Sequence, residues 1–331
     1  MKQKVLITGA SGFVGSWLVQ EALERDLHVY AGIRRTSSRS LLQDPRIEFC
    51  EIDFENQGAL AETLSQHKFD YVIHNAGITR AQRDEDYYRV NCDYSTQLAR
   101  LWLDAPGTHR KYVYISSVES HGSADDTPNQ IVTSSTEPQP RTTYGLSKLK
   151  AERELKQIAS LPLIIMRPTA VFGPAERDFY ALFKTINRFG FAPVVGSKDI
   201  RYSFIYVKDL TRVVLDAMLS DHVDKGYFIT DGELYPISKF TDGIAKAVAK
   251  KTWGITIPFS LLDGVVAVTG ILDRLSGKKS LLNDEQLAKM KARIWNFDTD
   301  SLVRDFDFRP RYSLEEALQE TVEWYKEHGW L

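Results

Sequence analysis

The sequence predicts an α/β protein built on a doubly wound parallel sheet, and three observations carry that prediction. Near the start, Val5-Leu6-Ile7 is a continuous apolar run of the kind that suits a strand buried on both faces. It leads into three equally spaced glycines, Gly9, Gly12 and Gly15, after which a helical apolar pattern takes over at Val14, Trp17, Leu18 and Ala22. Strand and helix signals then alternate through the first half of the chain, as repeated βα units do.

The glycine turn is the most informative stretch. Gly9 allows a tight turn, Gly12 lets the backbone approach a ligand closely, and Gly15 lets the helix pack against the strand. The helix N-terminus that follows offers unpaired N–H groups and a positive dipole end to a diphosphate. The spacing is G-x-x-G-x-x-G, not the more common dinucleotide spacing G-x-G-x-x-G.

The next elements follow in order. A strand over Leu27 to Ile33 ends in Arg34-Arg35, and a third over Ile47 to Ile52 closes on Asp53-Phe54. A fourth, Phe69 to His74, precedes the loop Asn75-Ala76-Gly77-Ile78-Thr79. A long helix from about Asp84 to Leu103 leads to a fifth strand, Lys111 to Ile115. Then come a Ser-, Thr-, Pro- and Asp-rich loop, a helix from about Tyr144 to Ile158 and a sixth strand, Leu163 to Met166. A sheet of this kind places its ligand at the carboxyl ends of the strands.

Beyond Pro168 the rhythm changes to short strands (Phe204 to Val207, Tyr227 to Thr230, Ile255 to Ile257) between helices. The tail ends in an amphipathic helix with the stripe Leu314, Leu318, Val322 and Tyr325. We expect a dinucleotide domain over residues 1–171 and a smaller substrate-side α/β lobe over 172–331, with a soft boundary and segments that interweave.

Composition narrows the function. The chain of 331 residues has 42 basic and 44 acidic side chains and no long run of one sign. The linear sequence therefore carries no footprint for nucleic acid or anionic lipid. The first core strand starts a few residues after Met1, so no leader peptide is expected. The best apolar run, Val265 to Leu272, is too short to span a bilayer and is flanked by Asp263 and Asp273-Arg274. Cys50 and Cys92 form no disulfide framework or metal-ligand pattern, and we expect both to be packed in a reducing, cytoplasmic compartment. No metal site is expected. His28, His67 and His109 read as surface or packing residues, and His121 stands in a loop from which it could face a substrate.

Tyr144 and Lys148 lie four residues apart at the start of a helix, on one face. A phenol with a pKa near ~10 is a poor proton carrier at neutral pH, and a cation one turn away favours its phenolate. Ser116-Ser117 ends the preceding strand, at the edge where a ligand should lie. Each feature is common by itself; glycine turn, strand-end serine and Tyr-x-x-x-Lys helix in this order are not. With Thr8 to Gly15, Asp53, His74-Asn75-Ala76-Gly77, Val90-Asn91, Arg167 to Pro174, Phe204 to Leu210 and the tail from Phe308 to Trp324, the sequence resembles the extended short-chain dehydrogenase/reductase superfamily along nearly its whole length. The likeness is to its epimerase/dehydratase-like branch.

That resemblance implies a Rossmann-type fold and an enzyme using a nicotinamide dinucleotide. Counting back from Gly122 it selects Ser117, which would polarise a carbonyl, with Tyr144 as proton donor or acceptor and Lys148 binding the nicotinamide ribose. The implied cofactor contacts are Gly9, Ser11, Gly12, Phe13, Val14, Gly15, Asp53, Phe54, Ala76, Gly77, Tyr144, Lys148 and Pro168. About 20 residues after the turn, NAD enzymes carry a carboxylate for the ribose 2′-OH. Here the chain reads Ile33-Arg34-Arg35-Thr36-Ser37-Ser38-Arg39, which suits a 2′-phosphate and predicts NADP, with Arg34 leading and Ser38 or Arg39 helping.

The leading expectation is an oxidoreductase acting on an apolar ketone or alcohol, as in dihydroflavonol reductase and hydroxysteroid dehydrogenase types. A nucleotide-sugar epimerase or dehydratase is the alternative, and a non-catalytic dinucleotide sensor the third. Against the sugar-nucleotide reading, Ala170 stands where those enzymes carry Asn, and Arg201 is displaced by one residue before the Tyr206-Val207 strand. Family members pair through the two helices of the Asn and Tyr-Lys motifs, so a homodimer is expected.

Overall fold

The computed structural model describes residues 2–123, 130–196, 200–254, 256–266, 287, 291 and 295–331. The apolar run Val265 to Leu272 is therefore described only to Val266, and Ile255 lies outside the described residues. The first half contains β1 (Lys4–Thr8), α1 (Phe13–Glu24), β2 (His28–Ile33), β3 (Glu48–Glu51), α2 (Gln57–His67), β4 (Tyr71–His74), α3 (Asp84–Tyr88), α4 (Tyr94–Asp104), β5 (Lys111–Ile115), α5 (Thr143–Lys156) and β6 (Leu163–Pro168). The second contains β7 (Ala170–Phe172), α6 (Tyr180–Phe189), β8 (Val194–Val195), β9 (Arg201–Tyr202), β10 (Phe204–Tyr206), α7 (Val207–Leu219), β11 (Lys225–Ile229), β12 (Tyr235–Pro236), α8 (Ile237–Ala247), β13 (Thr256–Ile257), α9 (Asp300–Phe306) and α10 (Leu314–Glu327).

Seven strands form one parallel sheet in the order β11-β6-β5-β4-β1-β2-β3. The order reverses at β1, so the carboxyl ends of β1 and β4 open a crevice. Successive side chains of β1 feed opposite layers. Val5 and Ile7 pack with Leu18, Val19, Val213 and Val214, whereas Leu6 packs with Val72, Leu98, Trp102 and Leu155. A third apolar cluster holds the smaller lobe together around Phe172, Phe183, Phe204 and Phe240, closed by Leu314, Leu318, Val322 and Tyr325 of α10. The Ser313 hydroxyl and Glu316 carboxylate cap the start of α10 reciprocally.

Two features depart from the sequence pattern. The helix expected over 84–103 is two helices joined by one π-helical turn, Arg89–Asp93. Side-chain bonds of Asn91 to the loop after β4 hold the extra residue there. The strand expected at Tyr227 is β11, the seventh strand of the main sheet, so the chain crosses back to that sheet through α7 and β11.

His74 is fully buried at the end of β4, with Nδ1 bonded to Thr8 Oγ1 at 2.8 Å and Nε2 to Ser95 Oγ at 2.9 Å. It thereby ties β1, β4 and α4 together. Burial, with the nearby charge of Lys148, pushes its pKa down to about 3. The unfolded chain takes up this proton first, near a pH of about 6.5, so the stability that neutral His74 contributes falls as pH drops from there toward the folded value. Chemical denaturation should show a loss of about 2–3 kcal/mol between pH ~6.5 and pH ~4.5 that a folded His74→Gln variant lacks.

Candidate active site

The turn between β1 and α1 is fixed by backbone contacts that admit no side chain. Gly9 has φ +66°, and a Cβ on it would lie 2.8 Å from the Ala76 nitrogen. A Cβ on Gly15 would come within 2.1 Å of the Gly9 carbonyl oxygen. Gly12 begins α1 with no side-chain cap, so the first N–H groups of the helix remain offered to a ligand. Backbone close approach and an uncapped helix end fit a dinucleotide diphosphate. When bound, such a cofactor supplies or accepts the hydride.

The cleft at this end of the sheet has a volume of about 700 Å³. Phe13, Val14, Gly77, Ser117, Tyr144, Lys148 and Pro168 all line it. Gly9, Ser11, Gly12 and Gly15 form the turn beside it. Asp53 and Phe54 follow β3, outside the lining. Asp53 accepts a bond from the Glu55 N–H, and Phe54 stacks on Tyr94 at 4.8 Å. Ala76 N donates to Thr8 Oγ1 at 3.2 Å, which places it against the turn. Arg34 and Ser38 are on the exposed segment after β2; Ser38 bonds Ser40, and Arg39 lies over the Phe49 ring at 4.1 Å. No described side chain pairs with the Arg34 guanidinium.

Two adjacent serines take opposite roles. Ser116 turns inward, donating to Glu152 Oε1 at 2.5 Å. Ser117, in extended backbone, faces the cleft beside Tyr144. Thr142 caps α5 by accepting from Gly145 N at 2.9 Å, which sets Tyr144 and Lys148 on its first turns. Lys148 Nζ donates to Ile115 O at 2.9 Å and lies 4.8 Å over the Tyr114 ring.

Burial dominates the proton affinities. It raises the Tyr144 phenol above its ordinary range, Glu119 adds to this, and a hydrogen bond with Ser117 opposes it. Burial also brings Lys148 down to about 8, resisted by the charge of Glu152. The sequence expectation that the lysine draws the phenol down is thus outweighed in this structure by desolvation and by the Glu119 carboxylate. Glu152 itself is buried, but its bonds to Arg167 (2.7 and 3.0 Å) and Ser116 hold it ionised, below the usual carboxylate range.

Sequence reasoning assigned no role in the site to several residues that the structure brings here. Asn91 in the π turn donates from Nδ2 to Ile78 O and Ser147 Oγ, both at 3.0 Å, and accepts from Ile78 N at 2.8 Å, fixing the loop under Gly77. Phe179, Tyr202 and Trp295 wall the substrate end, and Arg80 pairs with Asp178 across its mouth at 2.8 Å. The available signal was Glu152, one helical turn beyond Lys148; the aromatic walls come from separate short segments with no shared periodicity.

The fold and site define a dinucleotide-binding enzyme of the extended short-chain dehydrogenase/reductase superfamily. Residues 5–229 match the NAD dependent epimerase/dehydratase family, and the chain belongs to it. It is 26% identical to UDP-glucose 4-epimerase of Vibrio cholerae over 84% of this chain and 86% of that one. It is 25% identical to a ceramide reductase of Caulobacter vibrioides over 99% and 96% of the two chains. The structure of dTDP-glucose 4,6-dehydratase from Bacillus anthracis in complex with NAD superimposes with a TM-score of 0.77 at 19% identity, covering 98% of this chain and 97% of that one, and so shares the fold.

If Tyr144 carries the proton, Tyr144→Phe lowers turnover by about 10²–10⁴-fold and leaves dinucleotide affinity nearly unchanged. Steady-state rates beside a fluorescence titration of the cofactor check both halves.

Proposed function

We propose that this enzyme moves hydride between NADP and the ketone or alcohol carbon of an apolar substrate. Ser117 orients the carbonyl oxygen, Tyr144 gives or takes its proton, and Lys148 holds the nicotinamide ribose. In this reading residues 1–171 carry the dinucleotide and 172–331 supply the substrate side, with α7 and β11 crossing back. The observation that carries the substrate class is the lining of the cleft. Among the described residues its cations are Lys148 and Arg80, and Arg80 is already paired with Asp178. Its walls include Ile78, Val118, Phe179, Tyr202 and Trp295, and Ala170 offers no polar side chain. The likeness to a ceramide reductase, named for a lipid substrate, supports the same reading.

A second reading, conversion of a nucleotide sugar with hydride taken and then returned, is favoured by the likeness to UDP-glucose 4-epimerase. Calorimetry with NADP bound separates the two. The reductase reading expects no specific UDP or dTDP binding at micromolar concentration, and turnover of NADPH on an apolar ketone.

NADP over NAD rests on Arg34, exposed at the carboxyl end of β2 where no carboxylate stands. Arg34→Ala should weaken NADPH by about 1.5–3 kcal/mol with little effect on NADH, read by titrating both dinucleotides.

We place the enzyme in the cytoplasm, in keeping with two free, buried cysteines, Cys50 and Cys92. Among the described residues no helix is long and apolar enough to cross a membrane. We also propose a homodimer through α4 and α5, where Leu146 of α5 is exposed. Light scattering at micromolar concentration should give twice the chain mass of 37.7 kDa.

A further inference from the structure

We propose that the outer end of the smaller lobe, where α6 and α8 finish together, docks the protein on an anionic lipid bilayer. Two large aromatic side chains stand in water there: Phe189 is 62% exposed and Trp253 is 59% exposed. Their placement is fixed by the backbone. Trp253 N donates to Gly190 O at 2.9 Å, Ala192 N donates to Trp253 O at 3.0 Å, and the Trp253 ring N–H donates to Phe189 O at 3.3 Å. The Phe191 ring lies 4.8 Å from that of Trp253. Gly190, at φ +63°, makes the turn that presents the rings side by side; a Cβ on it would lie 2.7 Å from the Lys251 carbonyl oxygen.

The charge on the two segments that carry these rings is mostly of one sign. Residues 184–191 and 242–253 carry Lys184, Arg188, Lys246, Lys250 and Lys251, all exposed, against the single carboxylate Asp242. Cations at helix C-termini are favourable for the helix dipole, which accounts for some of them. It does not account for a Trp and a Phe held out among them. Apolar rings that enter the headgroup region, ringed by long cationic side chains that pair with anionic lipid, are the chemistry of an interfacial anchor. The complementary surface is a sheet of negative headgroups over hydrocarbon. The linear sequence hides this patch because its charges come from two helices about 60 residues apart in the chain.

The position suits that use. α6 starts next to Phe179, which walls the cleft, and ends at Phe189. Ten helical residues span about 15 Å, so a lipid-derived molecule leaving the bilayer would have a short path to the cleft. The docking itself does not require the substrate reading.

The test uses the whole protein, without substrate, and vesicles of phosphatidylcholine alone or mixed with phosphatidylglycerol. We expect co-sedimentation with the anionic vesicles only, weakened about tenfold or more by high salt and by Lys250→Glu/Lys251→Glu. Phe189→Ser/Trp253→Ser should weaken it comparably. A blue shift of tryptophan emission on anionic vesicles should vanish in Trp253→Phe, which keeps a ring and still binds. Equal binding to neutral vesicles, no binding, or variants that bind like the parent would overturn the proposal. So would a solution mass that falls by half in Phe189→Ser/Trp253→Ser, since the patch would then join copies of this chain. Activity of the same variants on a water-soluble ketone is expected to be unchanged, so failure of the substrate reading and failure of docking are read separately.

Discussion

The carboxylate of Glu152 and the guanidinium of Arg167, buried together beneath the cleft, fix the parts that surround them. Glu152 Oε1 also accepts the hydroxyls of Ser116 and Ser120, and Arg167 lies 5.3 Å over the Phe228 ring. Removing one member would leave the other charged and unpaired in the core, a change that typically costs about 3–5 kcal/mol. The pair therefore constrains its neighbours. Ser116 must face inward, and adjacent residues of extended backbone face opposite ways, so Ser117 must face the cleft. Gly226 on β11 leaves space for this guanidinium, since a Cβ there would lie 2.5 Å from an Arg167 nitrogen. One ion pair thus links α5, β6, β11 and the segment after β5, and holds the Ser116 hydroxyl on Glu152.

The same helix carries Lys148 one turn before Glu152, so that carboxylate also governs the charge nearest the cleft. Burial works against a protonated lysine, and Glu152 works for it, leaving a pKa of about 8. At neutral pH most of the lysine is then charged, though no longer by a wide margin. Its bond to Ile115 O and its place over Tyr114 hold that charge still, while the absence of a side chain at Gly77 leaves room beside Nζ. Tyr144 is shifted the other way by burial and by Glu119. Within the protein alone the phenol is held neutral, the form that can donate to a carbonyl oxygen.

Much of this was legible in the sequence because buried parallel strands and close backbone approach leave local marks. Val5-Leu6-Ile7 and the glycine spacing announce β1, its turn and α1, and Lys111 to Ile115 matches β5 residue for residue. Tyr144 and Lys148 were visible for the same reason, lying four apart on one helix. What escaped is set by tertiary contact. The π turn at Asn91 exists to satisfy a loop 13 residues earlier, which no periodicity of its own helix can reveal. The strand β11 reads as one more short apolar run until its pairing with β6 shows that it completes the main sheet. Phe179, Tyr202 and Trp295 meet only because three short segments converge.

Electrostatics at the substrate end bears on what can enter. Glu119, Glu176 and Asp178 all line the cleft there, and the opposing described cation, Arg80, is committed to Asp178. Glu176 caps the approach to α6 by accepting from the Asp178 and Phe179 N–H groups, yet burial still lifts it to about 7. Near neutral pH this end of the cleft therefore carries Glu119 and part of a second negative charge beyond the Arg80–Asp178 pair. A diphosphate would have to give up its hydration in a partly apolar cleft and face like charge, which disfavours it strongly unless cations approach from elsewhere. A neutral ketone meets no such cost and gains from the aromatic walls. In the proposed reductase reading, this lining suits an uncharged, largely apolar substrate, an argument that rests on the site because the fold by itself assigns no substrate.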